Sequence, residues 1–155
     1  MLQLISGPTS AADPSLRQIA LQTDRLTLAK RLWRAPADDG KEFGFELSAP
    51  LKPGDTFWVS QDVRYVVYQR PEPVVEIVLD LPPSAAAGIG WAVGNLHLEL
   101  SAEPGRLLAP DEPAVRQLLE RLKVAYTPTV AVFRPGRFAR GHEPAPQELG
   151  PSHRH

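Results

Sequence analysis

Prolines punctuate this chain more than any other residue type constrains it. Seventeen of its 155 residues are proline, roughly twice the usual share. A proline fixes φ and lacks a backbone N–H, so it breaks helix interiors and is excluded from central strands. The chain is therefore expected to fold through short strands and many turns, with few helices. Gln69-Arg70-Pro71-Glu72-Pro73, with two prolines in three residues, reads as an extended, semi-rigid linker. The residue pattern changes across it, and the partition expected is 1–71, 72–140 and a tail over 141–155.

The first half reads as strands and turns. In "DRLTLAKRLW" the leucines Leu26, Leu28 and Leu32 alternate as in a strand, interrupted by Lys30. "EFGFEL" puts Phe43, Phe45 and Leu47 on one face at period two, and "APADDGKE" before it is a turn by its Pro, Asp and Gly content. "LKPGDTFWVS" has a Pro-Gly-Asp turn feeding a strand, and "DVRYVVYQR" is rich in β-branched and aromatic residues. Short strands at this spacing predict a small all-β barrel or sandwich. Gly7 to about Ser15 is a polar loop.

The second half mixes types. "VVEIVLDL" is a nearly continuous apolar run bounded by prolines, hence a buried strand. Ser84 is a candidate N-cap for a helix through "AAAGIGWAVGN", with Gly94 and Asn95 ending it. That helix is apolar on nearly all sides, so it must be covered by a sheet or by another subunit. "LHLEL" follows as a strand with His97 and Glu99 opposite the leucines, and "GRLLA" as another. Asp111 caps a second helix whose Val115, Leu118, Leu119 and Leu122 form one apolar stripe. "PTVAVFRP" is the last strand. The order β-α-β-β-α-β is the ferredoxin-like pattern, so the fold class expected is α+β. From Phe138 the chain leaves this fold, and its prolines and glycines argue against regular structure.

The formal net charge is −1, without the basic stripe that nucleic acid or anionic lipid demands. No nucleic-acid or membrane partner is expected. The opening "MLQLISGPTS" has neither a positive n-region nor a long apolar run, so the expected location is cytoplasmic. There are no cysteines, which removes disulfides and thiolate chemistry and leaves imidazole and carboxylate for any transition metal. G-x-S-x-G, P-loop, H-E-x-x-H and G-x-G-x-x-G patterns are all missing, and the aspartates are scattered at turns and strand ends. No catalytic residue is assigned, and no enzyme is expected.

Four histidines remain, His97, His142, His153 and His155, three of them in the last fifteen residues. His97 stands where a buried helix ends, and the partial negative charge of a helix C-terminus favours a cation there. The alternative is an ordinary half-exposed histidine with a backbone partner. One imidazole makes no tight metal site, but two copies across a twofold axis supply two. The tail histidines are either auxiliary ligands or simply solvated. Imidazoles bind metal only when neutral, so such a site weakens as pH drops through about 6.5.

In order and spacing, "DRLTLAKRLWR", "DDGKEFGFEL", "PLKPGD", "PEPVVEI", "GWAVGNLHLEL" and "YTPTVAVFRP" resemble the urease accessory protein UreE family of nickel metallochaperones. The resemblance spans roughly residues 20 to 142. It implies an N-terminal β-rich domain that contacts partner proteins, followed by a ferredoxin-like domain that binds metal and forms a homodimer. It implies that His97, in the position of the family's G-N-x-H histidine, meets its twofold mate around Ni²⁺, with His142 and then His153 and His155 as further ligands. Zn²⁺ or Cu²⁺ would suit the same donors in vitro. Implied partners are the GTPase UreG and the apo-urease complex. The chain departs from the family in three places: Leu96 stands where Arg is usual, "APDEPAV" lacks an internal His-x-His pair, and the tail is sparse in histidine. A second reading stays open on the residues themselves, a β-barrel plus ferredoxin-like adaptor for a protein partner, with RNA disfavoured by the charge.

Overall fold

A computed structural model describes residues 1–10, 13–139 and 146–148. The fold is mixed α+β, and the chain divides into two compact units, Met1–Arg70 and Pro71–His155.

In the first unit β1 (Gln3–Ile5), β4 (Glu42–Glu46) and β3 (Leu32–Pro36) form one sheet in the order β1-β4-β3. β2 (Arg17–Thr23), β6 (Val63–Gln69) and β5 (Thr56–Ser60) form a second in the order β2-β6-β5. The inward residues of both sheets share one aromatic core. Phe43, Phe45 and Phe57 are fully buried, Trp33 stacks on Phe45 at 4.0 Å, and Phe57 meets Phe43 edge-on at 5.0 Å. Each such pair contributes about 0.5–1.5 kcal/mol beyond area burial. The period-two pattern of "EFGFEL" therefore placed its side chains correctly. The turns are also where proline, glycine and aspartate put them. Gly40 takes φ +88° between β3 and β4, a left-handed value that costs glycine nothing.

Two features depart from the sequence expectation. "DRLTLAKRLW" is not a continuous strand: a short helix α1 (Arg25–Leu28) precedes β3. The Asp24 carboxylate accepts from the Thr27 N–H and hydroxyl, both at 2.8 Å. That cap turns the backbone, so Leu28 is buried while Leu26 is left 68% exposed. In addition, β1 and β2 were not anticipated, and each pairs in parallel, with β4 and β6 respectively.

In the second unit the order is β7 (Glu72–Val78), α2 (Pro83–Asn95), β8 (Ser101–Glu103), β9 (Arg106–Pro110), α3 (Pro113–Arg121) and β10 (Thr127–Ala131). The sheet runs β10-β7-β9-β8 with every neighbour antiparallel. It follows that β7 and β8 are parallel with β9 between them, and β9 and β10 are parallel with β7 between them. Both helices supply the long crossovers that parallel strands require. Ile89 and Val93 of α2 and Val115, Leu118 and Leu119 of α3 pack on Val75, Ile77, Leu107 and Ala109. On another cluster Phe133 closes over Val74 and Leu108. Only Arg70 and Pro71 separate β6 from β7, so most of the expected linker is strand.

Several expectations are corrected here. Neither Ser84 nor Asp111 is an N-cap: the caps are Pro82 and Glu112, without side-chain cap bonds. Pro83 and Pro113 already pre-set φ in the first turn and have no N–H to satisfy. The Asp111 carboxylate instead accepts from Arg116 Nε at 2.6 Å and Nη2 at 2.9 Å. "LHLEL" is not a strand, because pairing begins only at Ser101. Nor does regular structure stop at Phe138. β11 (Arg137–Ala139) pairs antiparallel with β12 (Pro146–Glu148), and Pro146 occupies the strand's first position, where proline is tolerated.

Candidate metal centre

The backbone that carries His97 is set by how α2 ends. Asn95 is the last helical residue, and the His97 N–H reaches back to the Gly94 carbonyl at 2.9 Å while the Leu98 N–H reaches the Val93 carbonyl at 3.1 Å. This pair of bonds is a Schellman motif, and it requires a left-handed residue between them. That residue is His97, with φ +58°. Glycine is usual there because a Cβ crowds the carbonyl, at roughly 1–2 kcal/mol for other residues. The displacement of the expected strand follows directly: a left-handed residue cannot continue a ladder, so pairing resumes past Leu100.

The end of α3 repeats the device. Lys123 takes φ +56°, its N–H donates to Glu120 at 3.1 Å, and the Val124 N–H donates to Leu119 at 2.9 Å. A non-glycine left-handed cap is thus a habit of this unit and not by itself a mark of function. What distinguishes His97 is its setting. The imidazole is exposed, at the negative end of a helix dipole. Its helix buries only Ile89 and Val93, so of the two covers expected for so apolar a helix, the sheet of its own chain supplies only part. Trp91 is 70% exposed and Leu96 47%. The apolar surface continues into a groove of about 800 Å³, lined among others by Ile89, Trp91, Leu122 and Val124.

His97 is the one histidine among the described residues; His142, His153 and His155 lie outside them. Among the described residues no three His, Asp or Glu side chains stand close enough to hold a metal. The imidazole suits Ni²⁺, Zn²⁺ or Cu²⁺ by donor chemistry, but a single one leaves the coordination open.

The family model described as the UreE urease accessory protein, C-terminal domain, matches residues 72–155. The chain belongs to the UreE family. It is 32% identical over 138 residues to a urease accessory protein UreE of Deinococcus radiodurans, spanning 88% of this chain and 87% of the relative. It is 28% identical over 115 residues to one of Geobacillus kaustophilus, spanning 73% and 76%. A UreE of Sinorhizobium fredii aligns over 152 residues at 24% identity, spanning 96% and 95%. No helix among the described residues is long and apolar enough to cross a membrane.

The other polar clusters in this UreE chain have structural work. The Tyr65 hydroxyl donates to Asp39 at 2.6 Å, and burial followed by that bond pushes the phenol up to about 12. The bond from Arg116 holds the Asp111 carboxyl below its usual range. Arg116 also lies 5.8 Å from the Tyr126 ring, and the Tyr126 hydroxyl donates to Glu120 at 2.9 Å. Sequence reasoning had not found this network. Its only trace was an aspartate just before the second helix and an arginine five residues on.

Proposed function

We propose that this chain is a homodimeric nickel-binding chaperone of urease maturation and catalyses no reaction. One observation carries the reading: α2 keeps Trp91 in solvent, and exposed Leu96 and His97 follow directly at its C-terminal end. A second copy laid against α2 removes that surface from water, at about 1.5–3 kcal/mol for a large apolar side chain. A twofold axis beside the helix end then brings two His97 imidazoles together. Ni²⁺ is the cargo, held by His97 from both chains, with His142 joining and His153 and His155 as auxiliary ligands. Zn²⁺ or Cu²⁺ compete in vitro for the same donors. A site open to solvent and completed by a tail exchanges its ion more readily than a closed structural site, as delivery requires.

In this reading residues 1–71 form the partner-binding domain, 72–140 a ferredoxin-like metal-binding and dimerisation domain, and 141–155 the His-containing tail. The order β-α-β-β-α-β with strands arranged β10-β7-β9-β8 supports the ferredoxin-like assignment. Nickel passes in the cytoplasm to the apo-urease complex, with the GTPase UreG as partner. The test is a Ni²⁺ titration by calorimetry on the full chain, on His97→Ala, and on a chain ending at Arg140. Uptake of about one ion per two chains, lost in His97→Ala and weakened in the shorter chain, is expected from imidazole ligation. Undiminished binding by His97→Ala overturns the reading and favours a metal-independent adaptor.

A further inference from the structure

The outer face of the sheet β1-β4-β3 carries an apolar, basic surface for which nickel binding has no use. Register sets Leu4 beside Gly44 and Gly44 beside Arg34. Gly44 has no side chain, which lets the Leu2 and Leu4 side chains lie directly over the strand: a Cβ there would come 3.0 Å from Leu2 and 3.1 Å from Leu4. Beside these leucines is a hollow of about 280 Å³, walled by Leu2, Leu4, Leu32, Arg34 and Glu46. Leu32 also walls a second hollow of about 700 Å³ that adds Lys30, Arg31 and Pro50. The leucines are far from buried: Leu32 is 75% exposed and Leu4 66%.

The charge of these two hollows is opposite in sign to that of the chain. Lys30, Arg31 and Arg34 stand against Glu46 alone, on a protein whose net charge is −1. Among the described residues none of the three cations is held in an ion pair. Adjacent exposed leucines of this kind mark a contact surface more than a solvated one, and unneutralised cations select a partner of opposite sign.

We propose that this face docks an extended acidic segment of a partner protein, with its apolar side chains in the two hollows and its carboxylates on Lys30, Arg31 and Arg34. The proposal rests on the reading of residues 1–71 as the partner-binding domain. A membrane fits less well, because lipid-binding patches use about 4–8 cations and a bilayer has no side chains to fill hollows. A single-stranded nucleic acid would need an exposed aromatic platform, whereas Trp33 and Phe45 are buried.

The test uses fluorescence anisotropy on the full chain with three probes: a labelled peptide of alternating leucine and glutamate, its leucine–lysine counterpart, and vesicles containing phosphatidylserine. The acidic peptide is expected to bind at least about tenfold more tightly than the basic one, with affinity falling as salt rises. Leu32→Ser and the double change Arg31→Glu with Arg34→Glu should each weaken it about tenfold, and both sites are exposed, so folding is preserved. Equal binding of the two peptides, indifference to Leu32→Ser, or vesicle binding that depends on Leu32 overturns the proposal. Ni²⁺ uptake by the unaltered chain, measured in parallel, separates the failures. Nickel uptake without acidic-peptide binding removes only the docking surface. Peptide binding without nickel uptake leaves it standing while the cargo reading falls.

Discussion

Replacing His97 with glycine should make the metal-free protein more stable while abolishing nickel binding. His97 is held at φ +58° by the two backbone bonds that close α2. A left-handed non-glycine residue costs roughly 1–2 kcal/mol, and glycine removes that cost. Glycine also adds freedom to the unfolded chain, which takes back about 0.4–1 kcal/mol. The net gain is then about 0.5–1 kcal/mol, or a few degrees in Tm for a unit of this size. His97→Ala keeps the left-handed strain and gains nothing. Lys123→Gly is the internal control: with φ +56° in the same motif, it should stabilise by the same amount and leave nickel binding untouched. Urea unfolding of each variant in chelator is the assay, since bound metal would add its own stabilisation. Destabilisation by His97→Gly, or no gain from Lys123→Gly, would refute the account of both caps.

Three further outcomes are expected. Trp91→Ser should shift the protein towards monomer in light scattering and weaken nickel binding in proportion, leaving far-UV circular dichroism unchanged. Leu119→Ala removes a fully buried side chain and should cost about 2–5 kcal/mol in urea unfolding. The Tyr65 phenol, raised to about 12, keeps its proton in the folded state where the unfolded chain has lost it. Its contribution is therefore whole below the ordinary phenol value near 10 and disappears as pH rises through about 12. Tyr65→Phe should flatten that alkaline limb in a pH series of unfolding midpoints, and an unaltered limb would assign it to another group.

The candidate site was legible in part for a specific reason. His97 could be singled out because it ends a helix and because few other imidazoles exist. Its conformation could not, since a Schellman cap with glycine absent from its left-handed position looks like the start of the next strand. The same ambiguity affected Asp24, whose cap converts an alternating leucine pattern into a helical turn. Asp111 failed as a cap for a different reason, because a guanidinium five residues away competes for the carboxylate better than a free N–H does.

What the sequence determined alone is whatever local chemistry decides. The aromatic alternation of "EFGFEL", the turn at Asp39-Gly40, the stripe of α3 and the apolar surround of α2 follow from side-chain period and backbone sterics. Tertiary structure decided the pairings of β1 and β2, the start of β8 at Ser101, and the exposure of Trp91. Those depend on which distant segment supplies hydrogen bonds or covers a face. Periodicity records that a face is apolar, and only the packed chain leaves it buried or open to a partner.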